Sequence, residues 1–152
     1  MYARQPYAWL RGTGPAVVLT RMRPDADASN SGWTDQGGGT ANLYATADEA
    51  SASDADYVVS SKNPVADVLR FRMSDPTTGV AEPFNVSYRY GLTGGGSCTI
   101  TARLKQGSTL IKAWVHTDAT ATFKTVTQTL SSGEFAAITD FNDLFMEFEA
   151  GP

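Results

Sequence analysis

The clearest signal along the chain is a two-residue alternation of apolar and polar positions in its second half. Leu69, Phe71 and Met73 alternate with Arg70, Arg72 and Ser74. Phe84, Val86, Tyr88, Tyr90 and Leu92 alternate with Asn85, Ser87, Arg89 and Gly91, and Cys98, Ile100, Ala102 and Leu104 with Thr99, Thr101, Arg103 and Lys105. Successive side chains of a strand point to opposite faces, so each run predicts a half-buried strand with one wet face. Ile111, Ala113 and Val115 form a further core stripe. A Thr-rich strand follows from about Thr120 to Leu130, and Leu144, Met146 and Phe148 close the series. Gly94-Gly95-Gly96 and Gln106-Gly107-Ser108 are short enough to turn hairpins. Ten threonines between residues 93 and 129 suit exposed strand faces, where β-branching is favoured.

The first half is less regular. Ala16-Val17-Val18-Leu19 predicts an opening strand, and residues 24–42, rich in Asp, Asn, Ser and Gly, predict a long loop with Trp33 as a lid on the core. Leu43-Tyr44-Ala45 and Tyr57-Val58-Val59 are short strand candidates, with an acidic, alanine-rich turn or loop from Thr46 to Asp56 between them. One helix is marked: Ser131 and Glu134 have capping-box spacing, and Phe135, Ala136 and Ile138 supply its apolar face over two turns at most. Asp140 to Asp143 reads as a turn. The expectation is an all-β, jelly-roll-like antiparallel sandwich of eight or nine strands and one short helix, spanning 16–152. An extended arm, 1–15, precedes it.

Composition narrows the chemistry. One cysteine excludes a disulfide framework within the chain, and one histidine beside it excludes a His/Cys zinc cluster. Only His116 could serve as the base of a Ser-His or Cys-His pair. No run approaches 18 apolar residues, so no membrane span is expected. The N-terminus has no apolar core of a secretory signal, and Pro6, Gly12, Gly14 and Pro15 would break a presequence helix. No acid/base signature marks an enzyme, and no ligand set marks a cofactor or metal.

The net charge of −4 divides unevenly. Residues 1–24 hold Arg4, Arg11, Arg21 and Arg23 and no acid, giving +4, while the remainder sets eight Lys/Arg against sixteen Asp/Glu, giving −8. The arm also carries Tyr2, Tyr7 and Trp9, so Tyr2, Arg4, Tyr7, Trp9 and Arg11 combine aromatic anchors with arginines, the types enriched at interface hot spots. Nucleic acid is the rival partner for such residues. A basic stripe across the body is missing, and the reading is for docking on protein.

Two stretches carry a resemblance. One runs from Arg23-Pro24-Asp25-Ala26-Asp27 through Gly32-Trp33-Thr34 to Leu43-Tyr44 and Ala55-Asp56-Tyr57-Val58. The other is Thr129-Leu130-Ser131-Ser132-Gly133-Glu134-Phe135 through Asp140-Phe141-Asn142-Asp143-Leu144. With the strand series between them they resemble jelly-roll β-sandwich modules of tailed-bacteriophage virion proteins, over about residues 19–150. The resemblance implies a capsid decoration or head protein, or a module of a tail or fibre protein, assembled in the host bacterial cytoplasm. Its partners would be the major capsid protein or other virion proteins, and a trimer is the expected homo-oligomer. Phe145 departs from the pattern by placing an aromatic where an outward polar residue is expected, which points to a subunit contact.

Three further candidates stand beside simpler readings. Asp25, Asp27, Asp35, Asp48, Glu49, Asp54 and Asp56 could offer calcium its oxygen ligands, but EF-hand spacing is absent and Asx-turns account for the same pattern. The Ile111, Ala113, Val115 stripe places Trp114 on the opposite, exposed face with Lys112 and His116, where it could contact a partner or stack on a sugar. That makes a carbohydrate- or receptor-binding fibre module the alternative function, with a glycan as ligand. Cys98 falls on the apolar stripe of its strand and is expected to be an inert buried thiol.

Overall fold

The computed structural model describes residues 21–48, 53–92 and 97–152. The predicted opening strand at 16–19, the arm residues and Glu49 lie outside them.

Among the described residues nine strands form in chain order: β1 (Pro24–Ser31), β2 (Thr34–Asp35), β3 (Val58–Val59), β4 (Asp67–Met73), β5 (Asn85–Tyr90), β6 (Thr99–Gln106), β7 (Thr109–His116), β8 (Lys124–Thr129) and β9 (Leu144–Gly151). One short helix, α1 (Ser132–Ala136), separates β8 from β9. The main layer is an antiparallel sheet in the order β1-β4-β9-β6-β7. β5 and β8 pair as a second layer, and β2 and β3 as a small ribbon. β6 and β7 form the innermost hairpin, β5 pairs with β8 around it, and β4 with β9 outside both. Because the middle pair lies in the other layer, the chain winds as a jelly roll does, with three nested pairs. The all-β sandwich expected from the alternation is what forms.

The alternation explains the layers. Ile100, Ala102 and Leu104 of β6 and Leu144 and Met146 of β9 are buried with Val86, Tyr88 and Tyr90 of β5 in one core cluster, while Leu69 and Phe71 of β4 and Ala150 of β9 form a second cluster with Trp33 and Leu43. Ala102 pairs with Phe148, so a small residue makes room for a large ring. Trp33 does lid the core, buried over Leu43, Leu69 and Phe71, with Asn30 bonded to both its backbone N–H and its carbonyl.

Outward, β9 and β6 carry an ionic ladder. Glu147 is buried on this face between Arg103 Nη1 at 3.3 Å and Lys105 Nζ at 2.8 Å, and Arg103 also reaches Glu149 at 2.8 Å. The capping box forms as expected: Ser131 Oγ accepts from the Glu134 N–H, and the Glu134 carboxylate accepts from the Ser131 N–H at 2.9 Å.

Four expectations are corrected. Residues 24–31 are not loop but the edge strand β1, paired to β4 through two register shifts. Its polar residues fit an edge that covers little core, and Asp27 turns inward to accept the N–H groups of Leu43 and Tyr44 at 2.8 and 2.7 Å. Those two bonds make Leu43–Thr46 a 3-10 turn instead of a strand. The expected Gly94-Gly95-Gly96 turn lies outside the described residues, and the strands on either side of it, β5 and β6, do not pair but lie in different layers.

The fourth correction concerns β7. Its register against β6 shifts between Leu104↔Lys112 and Lys105↔Leu110, leaving Ile111 as an extra residue. Such a bulge reverses which face the following side chains take. Val115 is therefore 63% exposed, while Trp114 turns inward to pack 6.2 Å from the ring of Tyr88.

Candidate functional site

Tyr88 and Tyr90 project from the same face of β5 toward β7, and the edge position of His116 brings the imidazole between them. The Tyr88 hydroxyl lies 2.7 Å from His116 Nε2 and the Tyr90 hydroxyl 3.1 Å from Nδ1. Tyr90 donates to Asp118 Oδ1 at 2.8 Å, and Asp118 also accepts from Lys124 Nζ. Since Tyr90 spends its proton on Asp118, its oxygen accepts from His116 Nδ1–H, and Nε2 then accepts from Tyr88. The neutral imidazole is thereby satisfied at both nitrogens.

Electrostatics agrees with that assignment. Burial lowers the pKa of His116 below its ordinary value and pushes Tyr88 up to about 12. Burial, followed by the hydrogen bond to Asp118, raises Tyr90. The bonds from Lys124 and then Tyr90 hold Asp118 at about 2. This network ties the two layers together through β5, β7 and β8. Within it the Tyr88 hydroxyl keeps its proton toward His116, and Asp118 bonds the Lys124 cation.

Beside it lies a cleft of about 910 Å3 between the layers. Phe71 and Met73 of β4, with Met146 and Phe148 of β9, line it on the main sheet, and Ser87 to Tyr90 of β5 line it on the second layer. Segments from 53 to 64 also contribute. Arg89 fixes that wall: its guanidinium bonds Asp54 through Nε at 2.6 Å and Nη2 at 2.7 Å, and it lies over the Phe123 ring, which contacts Tyr57. The Arg89 guanidinium lowers the Asp54 carboxyl in turn. Cys98 is half-buried in the cleft lining, in contact with both core clusters, rather than fully enclosed.

The site residues read from the sequence do not converge. Tyr2, Arg4, Tyr7, Trp9 and Arg11 lie outside the described residues. Trp114, expected on the exposed face, is instead half-buried and packs against the interior beside Tyr88. Phe145 does face outward, yet the Arg70 guanidinium stacks 3.9 Å over its ring and hydrogen-bonds the Gly107 carbonyl. His116 is half-buried in the tyrosine network, not a free surface residue.

The acidic residues serve local structure. Asp35 accepts from the N–H groups of Gly37 and Gly39 at 2.7 and 2.8 Å, Asp27 caps the 3-10 turn, and Asp25 lies 3.7 Å from Arg72. Among the described residues no group of three His, Cys, Asp or Glu side chains is placed to hold a metal ion. No helix there is long and apolar enough to cross a membrane.

The reading from sequence missed Tyr88, Tyr90 and Asp118 as partners of the histidine. The available signal was the Tyr-x-Tyr spacing of one strand face and an aspartate two residues after the only histidine. No family model, curated protein or solved structure matches the chain.

Proposed function

We propose that the protein is a non-enzymatic virion structural protein, a capsid decoration or head module that docks on a phage particle through its N-terminal arm. The observation that carries this reading is where the arm joins the body. Arg23 is pinned to the end of β4: its N–H donates to Ser74 Oγ at 3.0 Å and its carbonyl accepts from the Ser74 N–H at 2.7 Å. Its guanidinium also donates to the Asp48 carbonyl at 3.2 Å. A basic, aromatic segment precedes this fixed point in the sequence and an acidic body follows it, a division that supports a docking role for the arm.

Two further observations support a structural role. The nested strand winding agrees with the virion modules that the sequence resembles, although fold alone does not license a function. Asp118 and Glu134, each held at about 2, bond lysines of other elements, Lys124 of β8 and Lys112 of β7.

The test is deletion of residues 1–14. The truncated protein should keep its circular dichroism and unfolding midpoint but no longer bind purified particles of the virus that encodes it. Unchanged occupancy on the particle overturns the reading.

A further inference from the structure

The cleft between the layers has a floor and a rim of different character. Phe71 and Met73 of β4, Ile100 of β6, and Met146 and Phe148 of β9 give it an apolar floor. The two thioethers are flexible enough to follow the outline of what lies on them. At about 910 Å3 the cleft falls among small-molecule sites, which span roughly 300–1,000 Å3.

The charge of the lining runs against that of the body. Residues 25–152 set eight Lys/Arg against sixteen Asp/Glu, yet the described lining holds Arg23, Lys62 and Arg89 against one carboxylate, Asp56. Arg23 spends its guanidinium on the Asp48 carbonyl, and Arg89 on the Asp54 carboxylate. Lys62 is exposed at the rim, on a segment fixed to β4 where the Ser61 N–H donates to Asp67 Oδ2 at 2.8 Å. It is the cation placed to meet a ligand. An ammonium above an apolar floor selects a molecule with an anionic head and an apolar body.

A buried donor at the same end agrees. β2 pairs with β3 through Thr34 and Val59, which brings Trp33 and the segment of Lys62 to one end of that ribbon. Trp33 is 8% exposed and lines the cleft, and among the described residues its indole Nε1–H has no acceptor. A donor left so is costly, and a carboxylate oxygen would satisfy it.

We propose that the cleft is a binding site for an apolar molecule with a single anionic head, of the class of a medium-chain fatty acid. Its carboxylate lies at the end shared by Lys62 and Trp33, and its chain lies on Phe71, Met146 and Phe148. The virion role plays no part in this assignment, and none of the lining residues is touched by the deletion that tests that role.

The test uses the full-length protein and three probes of equal chain length, decanoate, decanol and decyltrimethylammonium, each below micelle formation. Titration calorimetry should give saturable binding of decanoate, one per chain, with decanol weaker and the ammonium weakest. Cys98 lines the cleft and reports occupancy with no substitution. Its alkylation by iodoacetamide should slow roughly tenfold under saturating decanoate, since a covered thiol reacts less readily. Lys62→Gln, at an exposed position, should weaken decanoate about fivefold and leave decanol unchanged. Full-rate alkylation under saturating decanoate, equal binding of the ammonium, or an unchanged affinity of Lys62→Gln for decanoate overturns the proposal.

Discussion

His116 Nε2 sits 2.7 Å from the Tyr88 hydroxyl, a contact between the edge strand β7 of one layer and β5 of the other. Its consequence is a dependence of stability on acid. The pKa of His116 is lowered in the folded protein, so the unfolded chain binds the proton more readily. This contribution is present in full above the ordinary histidine pKa near 6.5 and is lost as pH falls toward the lower folded value. Urea midpoints should therefore decline as pH drops from 7 to 5. A His116→Gln variant, less stable at pH 7, should show a flatter profile over that range. Equal slopes would refute the assignment.

Trp114 and Val115 should differ sharply when truncated. Trp114→Ala opens a hole beside Tyr88 and should cost about 3 kcal/mol. Val115→Ala removes two methyl groups from a 63% exposed position and should stay within about 0.5 kcal/mol. Denaturant unfolding of both variants checks the inverted face directly.

Glu147 is the one acid buried among the described residues, and two cations depend on it. Glu147→Ala should cost roughly 3 kcal/mol, because on a partly enclosed face Lys105 loses its counter-charge and Arg103 keeps only Glu149. Raising salt to 1 M should narrow the gap between variant and parent only slightly, since enclosed pairs are weakly screened. Calorimetry at two salt concentrations measures both effects.

Ser131→Ala should cost about 1 kcal/mol by removing the acceptor for the Glu134 N–H. Glu134, held at about 2 by Lys112 and then by the Ser131 backbone, links α1 to β7. Faster amide exchange is thus expected in α1 and at Lys112, with β4 unaffected.

How far such contacts were legible in the sequence depended on the kind of order involved. β4, β6 and β9 declare themselves because each buries alternate residues against a core, and the capping box declares α1 because its chemistry is local. β1 hides because an edge strand with Asp27, Asn30 and Ser31 buries too little to alternate. The face of β7 hides because Ile111, Ala113 and Val115 form as good a stripe as Lys112, Trp114 and His116, and nothing in the composition shows an extra residue in the ladder. The cleft was not legible at all. Its walls come from β4, β5, β9 and the 53–64 segments, and no short motif spans them.

The extra residue in β7 acts on this strand as an inserted base acts on a reading frame. Downstream of Ile111 every position keeps its neighbour in sequence but exchanges wet for dry. Pairing Ile111 with Leu104 in a regular ladder, with the turn at Gly107 held, would read Val115 into the core and Trp114 and His116 into water, whereas deleting Ile111 removes the bulge and leaves Trp114 opposite Ala102. The bulge thus decides whether the two layers share their tyrosine–histidine seam.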